Sequence, residues 1–68
     1  MEKLTQEELD QLLIDEGNQA NLSNKDAREL NFSGADLSQS DLRFSDFSGS
    51  DMNGCNLPSE EMRKGSQF

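Results

Sequence analysis

The chain has 68 residues, a net charge of −8, 31% hydrophobic residues and neither Trp nor Tyr. This length supports one domain at most, and so few large apolar side chains cannot fill an ordinary non-repetitive core. Composition alone points toward disorder, so something other than an ordinary core must organise the sequence.

The same residues exclude several classes. A lone cysteine, Cys55, rules out an intramolecular disulfide and implies no oxidising compartment. No apolar run approaches the roughly 20 residues of a membrane span. The stretch from Met1 to Leu13 carries Glu2, Glu7, Glu8 and Asp10, the wrong charge for a signal or transit peptide, so a cytoplasmic protein is expected. Phosphate contacts need Lys and Arg, so this acidity argues against direct binding to nucleic acid or an anionic membrane. There is no histidine, which removes triads, imidazole bases and most zinc sites. The expectation is a non-enzymatic chain with no cofactor.

Residues 1–18 read as an amphipathic helix. Thr5 followed three residues later by Glu8 is a capping-box pattern, with Leu4 and Leu9 placed as a hydrophobic staple. Leu9, Leu12, Leu13 and Ile14 supply the candidate apolar stripe, and Gly17 is a natural stop. Glu7, Glu8 and Asp10 suit the positive end of the helix dipole, whereas Asp15 and Glu16 sit at the unfavourable end, at about 0.3–1 kcal/mol each.

From Ala20 the period is five: ANLSN, KDARE, LNFSG, ADLSQ, SDLRF, SDFSG, SDMNG, then CNL before Pro58. Third positions are Leu22, Ala27, Phe32, Leu37, Leu42, Phe47, Met52 and Leu57; only Ala27 is not large and apolar. Second positions are Asn21, Asp26, Asn31, Asp36, Asp41, Asp46, Asp51 and Asn56, without exception Asx. First positions are mostly small: Ala20, Ala35, Ser40, Ser45, Ser50 and Cys55. Neither the helix period nor the strand period produces this spacing.

These residues resemble the pentapeptide-repeat family, whose units read roughly A(D/N)LXX. The resemblance covers Ala20 to Leu57 and implies an all-β fold, a right-handed quadrilateral β-helix with one unit per side and four units per coil. Inward residues then stack between coils at about 4.8 Å, which explains how few large hydrophobes suffice. Leu22 is expected on Leu42, Ala27 on Phe47, Phe32 on Met52 and Leu37 on Leu57. The implied organisation is a capping helix over 1–18, about two coils over 19–57 and a short helical cap or tail over 58–68.

Three features depart from the pattern. Lys25 and Leu30 stand where a small residue is expected and Ala27 where a large one is, so KDARE reads either as a loose side or as a helical turn after Ser23. Short stacks need covered ends. The N-terminal helix is the candidate at one end. At the other, SEEMRKG offers a turn with Ser59 as N-cap and Met62 facing the coil; a homodimer joining two stacks is the alternative.

Metal ligation is not expected. Asp36, Asp41, Asp46 and Asp51 recur every five residues, unlike an EF-hand, and in a four-sided coil they disperse over successive faces. Ser33-Gly34, Ser48-Gly49 and Asn53-Gly54 are turn pairs without the Gly-Lys-Ser of a phosphate loop. Cys55, at a small inward position, reads as a core thiol.

Two readings of the acidic surface stand side by side. Asx side chains accept hydrogen bonds from nearby backbone at turns, which explains the second column structurally. Alternatively, Asp36, Asp41, Asp46 and Asp51 with Glu7, Glu8 and Asp10 form a negative surface imitating nucleic acid, steered into the basic cleft of a protein partner. Arg43 beside Phe44, at positions expected to face solvent, has the composition of an interface anchor; packing under the helix or tail is the alternative. Phe68 poses a choice between docking and disorder. Some members of the resembled family are DNA mimics that bind gyrase or topoisomerase, and size and acidity are similar to phage-encoded inhibitors of the anti-CRISPR or anti-restriction type. An assembly scaffold that self-associates without mimicry is the alternative function.

Overall fold

Capping chemistry starts the helix where the sequence places it. In a computed structural model describing residues 1–68, the helix α1 spans Gln6–Glu16. The Thr5 hydroxyl accepts the Glu8 N–H at 3.1 Å, and the Glu8 carboxylate accepts the Thr5 N–H at 2.9 Å. Gly17, at φ 59°, closes the helix by donating its N–H to the Leu13 carbonyl. Leu9 is wholly buried and Leu12 and Leu13 are half-buried, but Ile14 is 76% exposed and leaves the expected stripe. Five residues beyond Leu9, it is rotated about 140° around the helix. Asp15 and Glu16 find partners that offset their unfavourable place: Gln11 donates to Asp15 at 3.0 Å, and the Asn21 N–H donates to Glu16 at 3.0 Å.

Beyond a 3₁₀ turn at Gly17–Gln19, the repeats wind into a coil. Its rungs are parallel bridges between Asn21 and Asp41, Asp26 and Asp46, Asn31 and Asp51, and Asp36 and Asn56. Each joins residues twenty apart, so four units make one coil and the expected stacking of third-position side chains follows. Leu22, Ala27, Phe32, Leu37, Leu42 and Phe47 are buried, and Met52 and Leu57 pack against them half-buried. Each five-residue unit turns at its fourth and fifth positions, so most rungs have room for a single bridge and not a continuous strand. Extended pairing longer than one residue occurs only where β1 (Glu2–Lys3) runs parallel to β2 (Lys25–Asp26).

That pairing resolves the departures in KDARE. The unit is a regular rung, not a helical turn, because β1 lies beneath it with Lys3 in register with Asp26 and the Leu4 N–H on the Asp26 carbonyl at 2.9 Å. Leu4, 5% exposed, thereby continues the column of Ala27 and Phe47. At the other end Gln67 bridges Asp46, and Phe68 stacks on Phe47 with ring centres 5.2 Å apart. One column thus runs Leu4, Ala27, Phe47, Phe68. Phe47 also meets Phe32 edge-on at 5.5 Å. A small residue is tolerated at position 27 because large ones fill the layers on both sides of it. The Lys25 side chain turns out to Glu2, 3.0 Å away.

First-position serines do more than fill space. The Ser40, Ser45 and Ser50 hydroxyls accept the N–H groups of Ala20, Lys25 and Leu30 at 2.9–3.0 Å. They donate in turn to the carbonyls of Asn18, Leu22 and Ala27. Each hydroxyl therefore stitches two buried or partly buried backbone groups of the layer below.

The lower rim is covered by side chains as well as by β1. Gln6 behaves as a missing rung, accepting the Asn31 N–H at 2.8 Å and donating to the Asn31 carbonyl at 3.0 Å. Above, a 3₁₀ turn at Glu60–Arg63 follows Ser59, whose side chain makes no capping bond. The tail then accepts from the second coil: Leu42 donates to Met62 at 2.8 Å, Phe44 to Lys64 at 3.0 Å and Phe47 to Gln67 at 2.7 Å. No helix is long and apolar enough to cross a membrane.

Candidate interaction surface

The second-position Asx residues are first of all turn formers. From Asn21 to Asp51, each accepts the N–H two residues on at 2.9–3.3 Å. This Asx turn places the fourth and fifth positions around the corner and leaves one carboxylate oxygen free of that contact. Such hydrogen bonds hold the carboxyls of Asp26, Asp36, Asp41 and Asp46 low in pKa. The Ser38 hydroxyl and N–H lower Asp36, the Arg43 guanidinium lowers Asp41, and the Ser48 hydroxyl and N–H lower Asp46. Asp26, gripped by the Arg28 guanidinium, falls to about 2.

Cations divide the acidic surface. Arg28 closes on Asp26 through Nε at 2.9 Å and Nη2 at 3.1 Å, and Arg43 closes on Asp41 at 2.9 and 2.8 Å. Lys3 lies 4.0 Å from Asp26, and Lys25 is on Glu2. Arg63 donates to the Pro58 carbonyl. No Lys or Arg occurs at residues 4–24, 30–42 or 44–62. The columns carrying Asp51 and Asp36, together with α1, therefore contribute no Lys or Arg of their own, with Arg63 resting on Pro58 at the head of the Asp36 column and Lys25 near Glu8. The columns of Asp26 and Asp41 are partly neutralised from within.

The predicted contact residues do not form one cluster. Asp36, Asp41, Asp46 and Asp51 occupy four different columns. Glu8 is committed to the capping box, which lowers its pKa through the Thr5 N–H. Asp10 accepts from Gln6 at 3.1 Å and lines a groove between α1 and the coil with Leu13, Asn31 and Ala35. Glu7 is exposed in the first turn of α1. Nowhere do three or more Asp, Glu, Cys or His side chains gather around a common point.

Arg43 and Phe44 are both held by the chain itself. Arg43 is occupied by Asp41, and the Phe44 ring lies on Gly65, where an added Cβ would come within 2.8 Å of the ring. Phe44 remains 52% exposed, with its backbone in the left-handed region at φ 61°. Asn24 and Glu29, also fifth-position residues, share that conformation. Cys55 is half-buried, and burial with the nearby Asp36 carboxylate pushes its thiol up.

Sequence reasoning missed β1, the rung-like role of Gln6 and the Glu16 contact with Asn21. Only the last lies close in sequence; β1 and Gln6 reach residues more than twenty positions away, which no local pattern records.

Rungs every twenty residues, Asx turns from Asn21 to Asp51 and a stacked apolar interior define a repeat module of the β-helix class. The family model for pentapeptide repeats matches residues 20–57 in eight copies, and the chain belongs to that family of protein-interaction modules. No curated protein and no solved structure matches it.

Proposed function

We propose that this chain is an acidic protein-binding module that acts as a nucleic-acid mimic, occupying the basic cleft of a DNA- or RNA-binding protein. The frame we infer for it is a right-handed quadrilateral β-helix of about two coils. The observation that carries the reading is the separation of charge: α1 and the columns of Asp36 and Asp51 hold carboxylates and no cation. Unpaired carboxylates on a rigid frame generate a field that guides a basic surface and loses little entropy on contact. Asp36, Asp51, Asp10 and Glu7 are the favoured contact groups. Asp26 and Asp41 contribute less because Arg28 and Arg43 already neutralise them. A gyrase or topoisomerase, or a bacterial defence nuclease of the kind targeted by anti-CRISPR and anti-restriction proteins, has the required cleft.

The test is capture from bacterial lysate at low and high salt, with and without duplex DNA. A nucleic-acid enzyme displaced by either supports mimicry and identifies the target. The triple variant Asp10→Asn, Asp36→Asn, Asp51→Asn keeps the amide oxygen that an Asx turn needs, so it removes charge without unfolding the corners. Capture that survives this variant and high salt overturns mimicry in favour of an assembly scaffold.

A further inference from the structure

Six backbone groups on the upper rim have no partner within the chain, although the equivalent groups one coil below are all bonded. Below, the N–H groups of Glu29, Phe32, Gly34 and Leu37 donate upward at 2.7–3.1 Å, and the Leu30 and Ala35 carbonyls accept at 2.9 and 2.8 Å. Twenty residues on, the N–H groups of Gly49, Met52, Gly54 and Leu57 and the carbonyls of Ser50 and Cys55 bond to no other backbone or side chain. The tail covers only the columns of Leu42 and Phe47. Met52, the inward residue of the open rung, is left half-buried.

We infer that the open rung Ser50–Gly54 is a strand-docking site for an extended segment of a protein partner, bearing Lys or Arg followed by an apolar residue. The chain supplies two templates. On the lower rim Lys3 pairs in register with Asp26, its Nζ 4.0 Å from the carboxylate, and Leu4 turns inward on the column. On the upper rim the Gln67 N–H donates to Ser45 at 2.9 Å, its carbonyl accepts from Phe47 at 2.7 Å, and Phe68 turns inward. A segment docked likewise on the next rung donates to the Ser50 carbonyl and accepts from Met52. Its residue in register with Asp51 stands beside a carboxylate that no cation of the chain neutralises, which selects Lys or Arg. The following residue covers Met52. This rests on the reading above only for the partner's charge, since strand addition itself follows from the unpaired backbone.

The experiment is an NMR titration of the purified chain with the end-blocked peptide Ala-Lys-Leu-Ser-Gly at millimolar concentration. Shift changes and slowed hydrogen exchange at the Gly49, Met52 and Gly54 amides are expected. Ala-Ser-Leu-Ser-Gly should bind about two- to fivefold more weakly, as an exposed ion pair implies. Asp51→Asn should erase that difference while keeping the corner, since an Asn side chain still accepts the Asn53 N–H. Shifts confined to other sites overturn strand docking. Concentration-dependent protection of the same amides without peptide gives the rung to a second copy and overturns the partner assigned here. Equal binding of the two peptides overturns the choice of Lys or Arg. Because only the purified chain is used, this inference can fail while lysate capture succeeds, and the reverse.

Discussion

The Ser45 hydroxyl receives the N–H of Lys25, twenty residues earlier, at 2.9 Å and passes its own hydrogen to the Leu22 carbonyl. One buried side chain thus satisfies two backbone groups that would otherwise face each other across a corner. At the corner of Phe32–Ala35 no serine intervenes; Cys55 stands above it, and the Ala35 N–H bonds directly to Phe32 at 3.0 Å. That closed corner has Gly34 at φ 71°, whereas the serine-bridged one has Asn24 at φ 56°. Ser45→Ala should therefore destabilise by about 1–3 kcal/mol in urea unfolding. Adding Asn24→Gly should recover part of the loss, because glycine lets the corner close on itself. An additive pair of effects would count against this account.

Leu4 and Ala27 share a column in which the small residue lies between large ones. Leu4→Ala should cost about 2–4 kcal/mol by leaving a void beneath Ala27. Ala27→Leu, which restores the repeat consensus, should also destabilise, by about 1–3 kcal/mol, because Leu4 and Phe47 already occupy the space. Thermal unfolding of both variants checks this. A stabilising Ala27→Leu would show the column to be underfilled.

Gly65 is fixed by Phe44 and by its own backbone. It sits at φ 74°, and an added Cβ would overlap the Phe44 ring. Gly65→Ala should destabilise by about 2 kcal/mol or more from the left-handed backbone and the clash together. With Phe44→Ala the clash disappears, so the second substitution should cost less in that background. A double-mutant cycle reads the coupling directly.

The pH dependence follows from Asp26. Its folded pKa, about 2, lies below the ordinary aspartate value of about 3.9. A depressed carboxylate stabilises the fold fully above the unfolded value and loses that contribution as pH falls through the folded one. The advantage of the wild type over Asp26→Asn should thus be constant above about pH 4 and shrink toward pH 2. Denaturant midpoints between pH 2 and 7 measure it. A gap that does not narrow would remove the Arg28 pairing as its cause.

Much of the frame was legible in the chain because its repeat is a covalent regularity. Asx at every second position makes the corner through a bond only two residues long, and a large third-position residue needs only a neighbour twenty positions away in the same pattern. The capping box at Thr5 and Glu8 is equally local. Ile14, a candidate for the apolar stripe of α1, lies outside it because helical phase, not hydrophobicity, decides which residues face the coil.

The five-residue module, with its corners, its inward column and its acidic exterior, is encoded within each unit of the chain. Tertiary structure alone decided how the ends are finished. Leu4, Gln6 and Phe68 reach the rims across long stretches of chain, where backbone groups left unpaired by the repeat must find partners. It also decided which carboxylates stay free, because Arg28 and Arg43 fold back on their own units and leave Asp36 and Asp51 without a counter-ion. Bonds within a unit are encoded by spacing. Bonds that close a finite stack depend on which residues arrive at its two ends.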